Sequence, residues 1–222
     1  MDKKEIARKL VEFLKKRYGE KLKFRMKEKN VFKLLVFTIL SQRTRDENTE
    51  RAGRNLFSRV DTPQDILNLK LEELERLIKS AGMYRQKAEK IREVCEVLVK
   101  KYGGKVPRSR EELLALPGVG FKTADIVLSY GYGIPTIAID THCNRISKRI
   151  GLVEKDADVE EVKERLEDLI PKKDWLIVNL GLVNFGKDIC KPVRPRCGIC
   201  PLRKYCNYSA RSKNSRYKVL HR

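Results

Sequence analysis

The chain contains 222 residues, enough to bury the core of one large domain or of two smaller lobes. Its 50 Lys and Arg residues outnumber its 30 Asp and Glu residues, and no apolar run reaches the length of about 18 residues that a membrane span needs. The formal charge of +20 therefore favours a polyanionic partner, most often nucleic acid. The alternative is the solvated surface of a heat-adapted protein, because Lys and Glu are abundant whereas Gln is scarce.

The positive charge is concentrated at the C-terminus. Residues 187 to 222 contain eleven Lys and Arg residues and one acid, Asp188, for a net charge of +10. A basic segment of this kind contacts phosphate or stays disordered. The N-terminus is charged and helical rather than signal-like, so we expect a cytoplasmic protein with reduced thiols.

Helical periodicity dominates the chain and predicts an all-α fold. Cap signals mark several helix starts, because Ser, Thr and Asn side chains accept hydrogen bonds from the first free N–H groups. They are Asn30, Thr44 with Glu47, Thr62 before Pro63, and Ser109 with Glu112. The predicted helices cover residues 3–17, 31–40, 45–57, 63 onward, 71–80, 85–101, 110–116, 121–130, 141–150, 158–170 and 173–186. The one strand-like run, IPTIAI, is short.

The run LPGVGFKTA, residues 116 to 124, predicts a glycine turn followed at once by a helix. Glycine allows positive φ and close backbone approach, and the first N–H groups of the helix have no partner within it. Those groups and the helix dipole suit an anion, and in a basic protein the natural anion is a DNA phosphate. An ordinary helical corner is the alternative.

Lys122 lies at the start of that helix, where the dipole and nearby cations disfavour an ammonium. A free amine attacks carbon electrophiles and forms Schiff bases, whereas a charged lysine there would bind phosphate. Asp140 follows eighteen residues later, after a short apolar run. It caps the next helix, assists an amine nucleophile, or does both, since capping fixes the carboxylate geometry.

Four cysteines near the C-terminus form the pattern C-x6-C-x2-C-x5-C. They are Cys190, Cys197, Cys200 and Cys206. In a reducing compartment four converging thiolates indicate zinc or an iron–sulfur cluster, and the spacing leaves both open. The enclosed loop carries Lys191, Arg194 and Arg196, which would bind phosphate or stay solvated. The remaining cysteines, Cys95 and Cys143, are predicted to be buried thiols.

An internal similarity joins EELERLIKSAGMYRQKAEKI to EELLALPGVGFKTADIV. Each segment has a short helix, a glycine turn, and then a lysine and an alanine that open the next helix. Shared turn chemistry of helical hairpins explains this similarity more simply than a shared function.

Together these motifs resemble the endonuclease III family of DNA repair glycosylases. LPGVGFKTA resembles the family's helix-hairpin-helix with its catalytic lysine, IAIDTH its catalytic aspartate segment, and the cysteine pattern its [4Fe–4S] site. The runs ILSQRTRDENT and SAGMYRQKA resemble two of its DNA-facing segments. The likeness covers residues 5 to 207, nearly the whole chain.

The resemblance implies two helical lobes. One is a six-helix barrel over residues 24–136, with the helix-hairpin-helix at about 109–131. The other joins residues 1–23 to 137–222 and carries the [4Fe–4S] cluster loop, 190–206. The implied partner is double-stranded DNA with damaged bases or abasic sites, bound by a monomer in the nucleoid of a prokaryotic, heat-adapted source.

The implied activity is that of a bifunctional DNA glycosylase and abasic-site lyase of base excision repair. A damaged, oxidised pyrimidine flips out of the stack, and Lys122 attacks C1′ to displace the base. Asp140 promotes that step, and β-elimination breaks the strand 3′ to the abasic site. The cluster is structural or electronic and is not the reacting centre.

The resemblance also implies further DNA contacts and a cation. The implied contact residues are Gln42, Arg43, Met83, Gly118, Gly120, Lys191, Arg194 and Arg196. Met83 matches an apolar wedge, with a core methionine as the alternative. The family's gap-filling glutamine matches Arg43 here, with Gln42 one residue earlier. A monovalent cation would bind backbone carbonyls of the hairpin, including those of Leu116 and Val119.

Two other functions fit part of the pattern. A monofunctional relative, such as a mismatch or adenine glycosylase, usually lacks the lysine found at position 122. A DNA-binding module without chemistry would explain the charge and the hairpin, but it leaves Lys122 and Asp140 without a role.

Overall fold

The computed structural model describes residues 2–25 and 30–209, with side chains described for 2–19 and 30–209. Its helices, in chain order, are α1 (Lys3–Arg25), α2 (Val31–Ser41), α3 (Asp46–Phe57), α4 (Pro63–Asn68), α5 (Leu71–Leu77), α6 (Tyr84–Tyr102), α7 (Arg110–Leu114), α8 (Phe121–Ile126), α9 (Thr141–Ile150), α10 (Val159–Leu169) and α11 (Trp175–Asp188). These ranges contain no strand, so the all-α prediction is confirmed. The basic segment 187–222 extends beyond the described residues after position 209.

The chain forms two compact units. One contains Glu28–Ile134, and the other joins Met1–Lys27 to Pro135–Arg222. No helix of the described residues is long and apolar enough to cross a bilayer.

The unit Glu28–Ile134 contains α2 to α8 and a π-helical turn, Val127–Gly131, that continues α8. Helix α6 shows why the sequence folds this way, because its apolar residues recur at helical spacing. Ile91, Val94, Cys95 and Leu98 are all fully buried. The stripe packs in a common core with α2 and α4, and α7 and α8 form a hairpin beside it.

The second unit contains α1, α9, α10 and α11. Helices α1 and α11 approach closely at Gly181, where an added Cβ would lie 3.0 Å from Leu14 Cδ1. The strand-like run IPTIAI belongs to no sheet, and side chains bind its backbone groups instead. Glu167 accepts a hydrogen bond from the N–H of Ile137, and Asn179 Nδ2 donates to the carbonyl of Ala138.

The predicted caps at Asn30, Thr62 and Ser109 are confirmed, since each side chain accepts a backbone N–H three residues on. The predicted cap at Thr44 is wrong. Helix α3 begins one residue later, after Arg45, and has no side-chain cap. The Thr44 hydroxyl instead accepts hydrogen bonds from the N–H of Gly82 and from Lys87 Nζ. Residues distant in sequence therefore bind the Thr44 hydroxyl, which the local pattern predicted to cap α3.

Candidate functional site

The glycine turn joins α7 to α8 as a helical hairpin. Gly118 has φ of +72°, the left-handed conformation that the sequence predicts, whereas Gly120 is extended at φ −98° and caps α8 without a side-chain hydrogen bond. A Cβ at Gly120 would meet no atom within 4 Å. The start of α8 therefore lies beside open space. Within the turn, the N–H of Val119 donates to the carbonyl of Leu116 at 3.1 Å.

Lys122 is the second residue of α8 and is exposed, so its amine is accessible to a large ligand. The neighbouring Phe121 is 47% exposed, and the guanidinium of Arg110 lies 4.9 Å from its ring centre. The Arg110 Nε atom is 3.2 Å from the buried carboxylate of Asp125, which fixes the arginine against the helix.

Asp140 caps α9, as predicted. Its Oδ1 atom accepts hydrogen bonds from the N–H groups of His142 and Cys143, at 2.9 and 2.8 Å. The side chain is half-buried, and the cap bonds fix its orientation. Cys143 is fully buried, so its prediction is confirmed. Burial, and then the charge of Asp140, raise the pKa of Cys143 well above its usual value, which keeps this thiol neutral.

Two arginines of α9 contact the cysteine-rich loop, and sequence reasoning missed both. Arg145 donates to the carbonyl of Cys190 at 3.0 Å. Arg149 donates to the carbonyls of Lys191 and Pro192 at 2.7 and 2.8 Å. The signal was available, because residues four apart lie on one face of a helix. Helix α9 thus carries Asp140 at its N-terminus and holds the loop with its later turns.

The four cysteines of the loop line one small cavity together with apolar residues of α9 and α11. Burial raises the pKa of Cys200 to about 11 and also raises the pKa of Cys206, so thiolates here need a bound cation. No three His, Cys, Asp or Glu side chains of the described residues are arranged to hold a single metal ion. Four thiols around one cavity are a donor set that an iron–sulfur cluster can use.

The two predicted DNA-facing segments meet in the unit Glu28–Ile134. They line an open cavity of about 450 Å³ to which Gln42, Arg43 and Met83 all contribute. Gln42 Nε2 donates to the carbonyl of Gly118 at 3.1 Å, which ties the first segment to the hairpin. Arg43 is exposed, and Met83 is 50% exposed, so the core alternative for Met83 is wrong.

The cations of the cysteine-rich loop lie at different depths. Arg194 and Arg196 are exposed, and Lys191 is half-buried. Arg194 has φ of +50°, an uncommon conformation for a residue with a side chain. The carbonyl bonds from α9 hold the backbone of this loop next to Lys191.

Residues 36–172 match the family described as HhH-GPD superfamily base excision DNA repair protein. Residues 190–206 match the iron-sulfur binding domain of endonuclease III, and the chain carries a [4Fe–4S] cluster. The chain is 52% identical to endonuclease III of Thermotoga maritima over 83% of its own length and 86% of the relative.

Two solved structures are similar over nearly the whole chain. One is an endonuclease III trapped as a covalent intermediate with DNA, in an estranged-adenine complex, at 37% identity and a TM-score of 0.86. It covers 96% of this chain and 100% of that chain. The other is a non-covalent endonuclease III–DNA complex at 38% identity and a TM-score of 0.87, covering 96% and 99% of the two chains.

Proposed function

Because the chain belongs to the endonuclease III family of HhH-GPD base excision repair proteins and is a DNA glycosylase, we propose that it is also an abasic-site lyase. The proposed substrates are oxidised pyrimidines in double-stranded DNA, and Lys122 is the proposed nucleophile. The observation that carries this proposal is the exposed Lys122 amine, two residues after Gly120 on the hairpin. A related endonuclease III has been trapped covalently on DNA, which supports an enzyme-bound intermediate.

The proposed reaction begins with the extruded nucleotide. The lone pair of Lys122 Nζ forms a bond to C1′, the glycosidic bond breaks, and the base leaves with the electron pair and takes up a proton. Opening of the sugar ring gives a protonated Schiff base, which acidifies the C2′ proton. Loss of that proton breaks the C3′–O bond, so the strand is cut 3′ to the abasic site.

Asp140 has the proposed role of promoting base displacement. The cap bonds use Oδ1, and the second carboxylate oxygen makes neither of them. That oxygen would stabilise positive charge that develops on the sugar and would accept the proton from the attacking amine. The cap holds the carboxylate in one orientation, which reduces the reorganisation that the step requires.

Phosphate contacts would hold the duplex in place without reading its sequence. The uncapped start of α8 and the turn at Gly118 and Gly120 are proposed to bind one backbone phosphate. The loop cations Lys191, Arg194 and Arg196 are proposed to bind another. The monovalent cation at the hairpin carbonyls of Leu116 and Val119 stays a prediction.

Cys190, Cys197, Cys200 and Cys206 are the proposed ligands of the [4Fe–4S] cluster. When bound, the cluster would hold the four cysteines as thiolates and would fix the conformation of the loop. Arg149 also lies close, with Nη1 3.5 Å from Cys190 Sγ, so it would donate a hydrogen bond to this ligand.

The division of the chain into two compact units supports the proposal of two lobes. We assign the six-helix barrel lobe to Glu28–Ile134 and the cluster lobe to the other unit. Damaged bases and abasic sites as targets, a monomeric state, and a location in the nucleoid belong to the same proposal.

Borohydride trapping tests the lyase. A duplex with one abasic site is incubated with the protein and reductant, and covalent protein–DNA adducts are separated on a denaturing gel. We expect an adduct with the unmodified protein and with the control Lys105→Ala, an exposed lysine, and none with Lys122→Ala. An unmodified protein that excises bases without forming an adduct would be a monofunctional glycosylase, and one that binds DNA without excision would be a binding module.

A further inference from the structure

Lys87 is a lysine at a core position of a helix. It lies four residues before Ile91 on the buried stripe of α6 and is 6% exposed. It is also the lysine of the internal similarity between the two hairpins, but its counterpart Lys122 is exposed. Burial lowers the pKa of Lys87 to about 8. A buried cation is costly unless hydrogen bonds compensate it, so its partners show what it does.

The Lys87 ammonium donates all three of its hydrogen bonds to residues 40–44. Nζ donates to the carbonyls of Leu40 and Gln42 at 2.7 and 2.6 Å and to the hydroxyl of Thr44 at 2.7 Å. None of these acceptors is a carboxylate. Leu40 belongs to the last turn of α2, whose carbonyls have no partner within the helix and carry the negative end of its dipole. Lys87 therefore fixes the exit of the chain from α2.

The segment that contains Gly82 and Met83 is also hydrogen-bonded to Thr44. The Thr44 hydroxyl that binds Lys87 also accepts the N–H of Gly82 at 3.1 Å. The two backbones are close, because a Cβ at Gly82 would lie 3.1 Å from the carbonyl oxygen of Arg43. Residues 42–45 and 82–83 thus form one rigid group around Lys87.

Two exposed residues of this rigid group, Arg43 and Met83, have an energetically unfavourable backbone conformation. Arg43 has φ of +50° and Met83 has φ of +57°, left-handed values that cost energy for residues other than glycine. Such conformations persist where the surrounding structure fixes them, and often mark functional sites. The amide of Gln42 is bonded to the hairpin at Gly118, whereas Arg43 and Met83 are exposed side chains that stand on the left-handed positions of the two segments.

We propose that Lys87 is a positioning residue for DNA, whose buried ammonium presents Arg43 and Met83 together to the strand opposite the lesion. This inference rests on the proposed function and on the predicted DNA contacts of Arg43 and Met83, which would enter the duplex when the damaged nucleotide leaves it. Lys87 itself touches no DNA. It acts through the backbone of the two segments, so its loss affects duplex engagement more than the chemistry at C1′.

The test separates engagement from chemistry. The duplex carries a tetrahydrofuran abasic analogue, which is not cleaved, opposite 2-aminopurine, whose fluorescence rises when it unstacks. We expect the unmodified protein and the control Lys100→Met to raise the fluorescence, because Lys100 lies on the same helix with its side chain 79% exposed. Lys87→Met should lose most of that rise and bind this duplex about tenfold more weakly.

A single-stranded abasic oligonucleotide provides the second readout, since it has no opposite strand to engage. Lys87→Met should form the borohydride adduct on it at the unmodified rate. Unchanged fluorescence and affinity on the duplex would overturn the inference, as would an equal loss of adduct on the single strand. Absence of any adduct with the unmodified protein would instead overturn the proposed lyase.

Thr44→Val gives an independent test if Lys87→Met does not fold, as judged by circular dichroism. It removes one acceptor of Lys87 and the bond to Gly82 while keeping the side-chain volume. We expect a smaller loss of the fluorescence rise with the single-strand adduct unchanged. A full rise in this variant would contradict the proposed role.

Discussion

Two lysines in similar sequence contexts differ in their exposure to solvent. Lys122 and Lys87 each follow a glycine turn at the start of a helix, yet the first is exposed and the second is buried. Lys122 could be proposed as the nucleophile because its motif is continuous in sequence. Lys87 could have been placed in the core from the spacing to Ile91, but its partners could not, since they come from a segment more than forty residues away.

The pH dependence of stability should report the burial of Lys87. The unfolded chain keeps this proton to the usual pKa of 10.5, whereas the folded pKa is about 8, so unfolding takes up a proton between these values. The free energy of unfolding of the native protein should therefore rise with pH relative to Lys87→Met, by up to about 1.4 kcal/mol per pH unit. Denaturant unfolding at pH 7 to 10 measures this difference, and Lys100→Met is the control. A difference independent of pH would show that folding does not lower the pKa of Lys87.

At the scale of helices, α9 combines a local signal with a tertiary one. The cap at Asp140 and the helix over residues 141–150 were predicted correctly, because an N-cap acts on N–H groups within the same turn. The contacts of Arg145 and Arg149 were missed, because their acceptors are loop carbonyls about forty residues away. The error at Thr44 has the same origin. Local chemistry predicts caps until a tertiary partner competes for the same hydroxyl.

Two glycine substitutions test the packing of α9 against α11, one at the contact between these helices and one, as a control, in α1. At Gly186 a Cβ would lie 2.1 Å from His142 Nδ1, so Gly186→Ala should lower the free energy of unfolding by about 1–3 kcal/mol. At Gly19, inside α1, a Cβ would meet no atom within 4 Å, so Gly19→Ala should raise it by up to about 1 kcal/mol. Thermal unfolding of both variants measures whether each substitution raises or lowers the free energy of unfolding. A stabilising Gly186→Ala would mean that α9 and α11 are not closely packed there.

For the molecule as a whole, composition predicted the class of partner and periodicity predicted the class of fold. The excess of 20 positive charges indicated a polyanion, and the chain belongs to a DNA repair family. The cluster was visible because its four cysteines lie within 17 residues. The sequence could not decide between zinc and an iron–sulfur cluster, since that choice depends on how far apart the thiols lie in space.

Peptide mapping of the trapped protein tests the proposed nucleophile most directly. The unmodified full-length protein is reduced with borohydride on an abasic duplex, digested with nuclease and protease, and analysed by tandem mass spectrometry. The sugar remnant should be attached to Lys122 and to no other amine. A remnant on another lysine or on the N-terminus, or a cut strand with no remnant on the protein, would contradict the proposed mechanism.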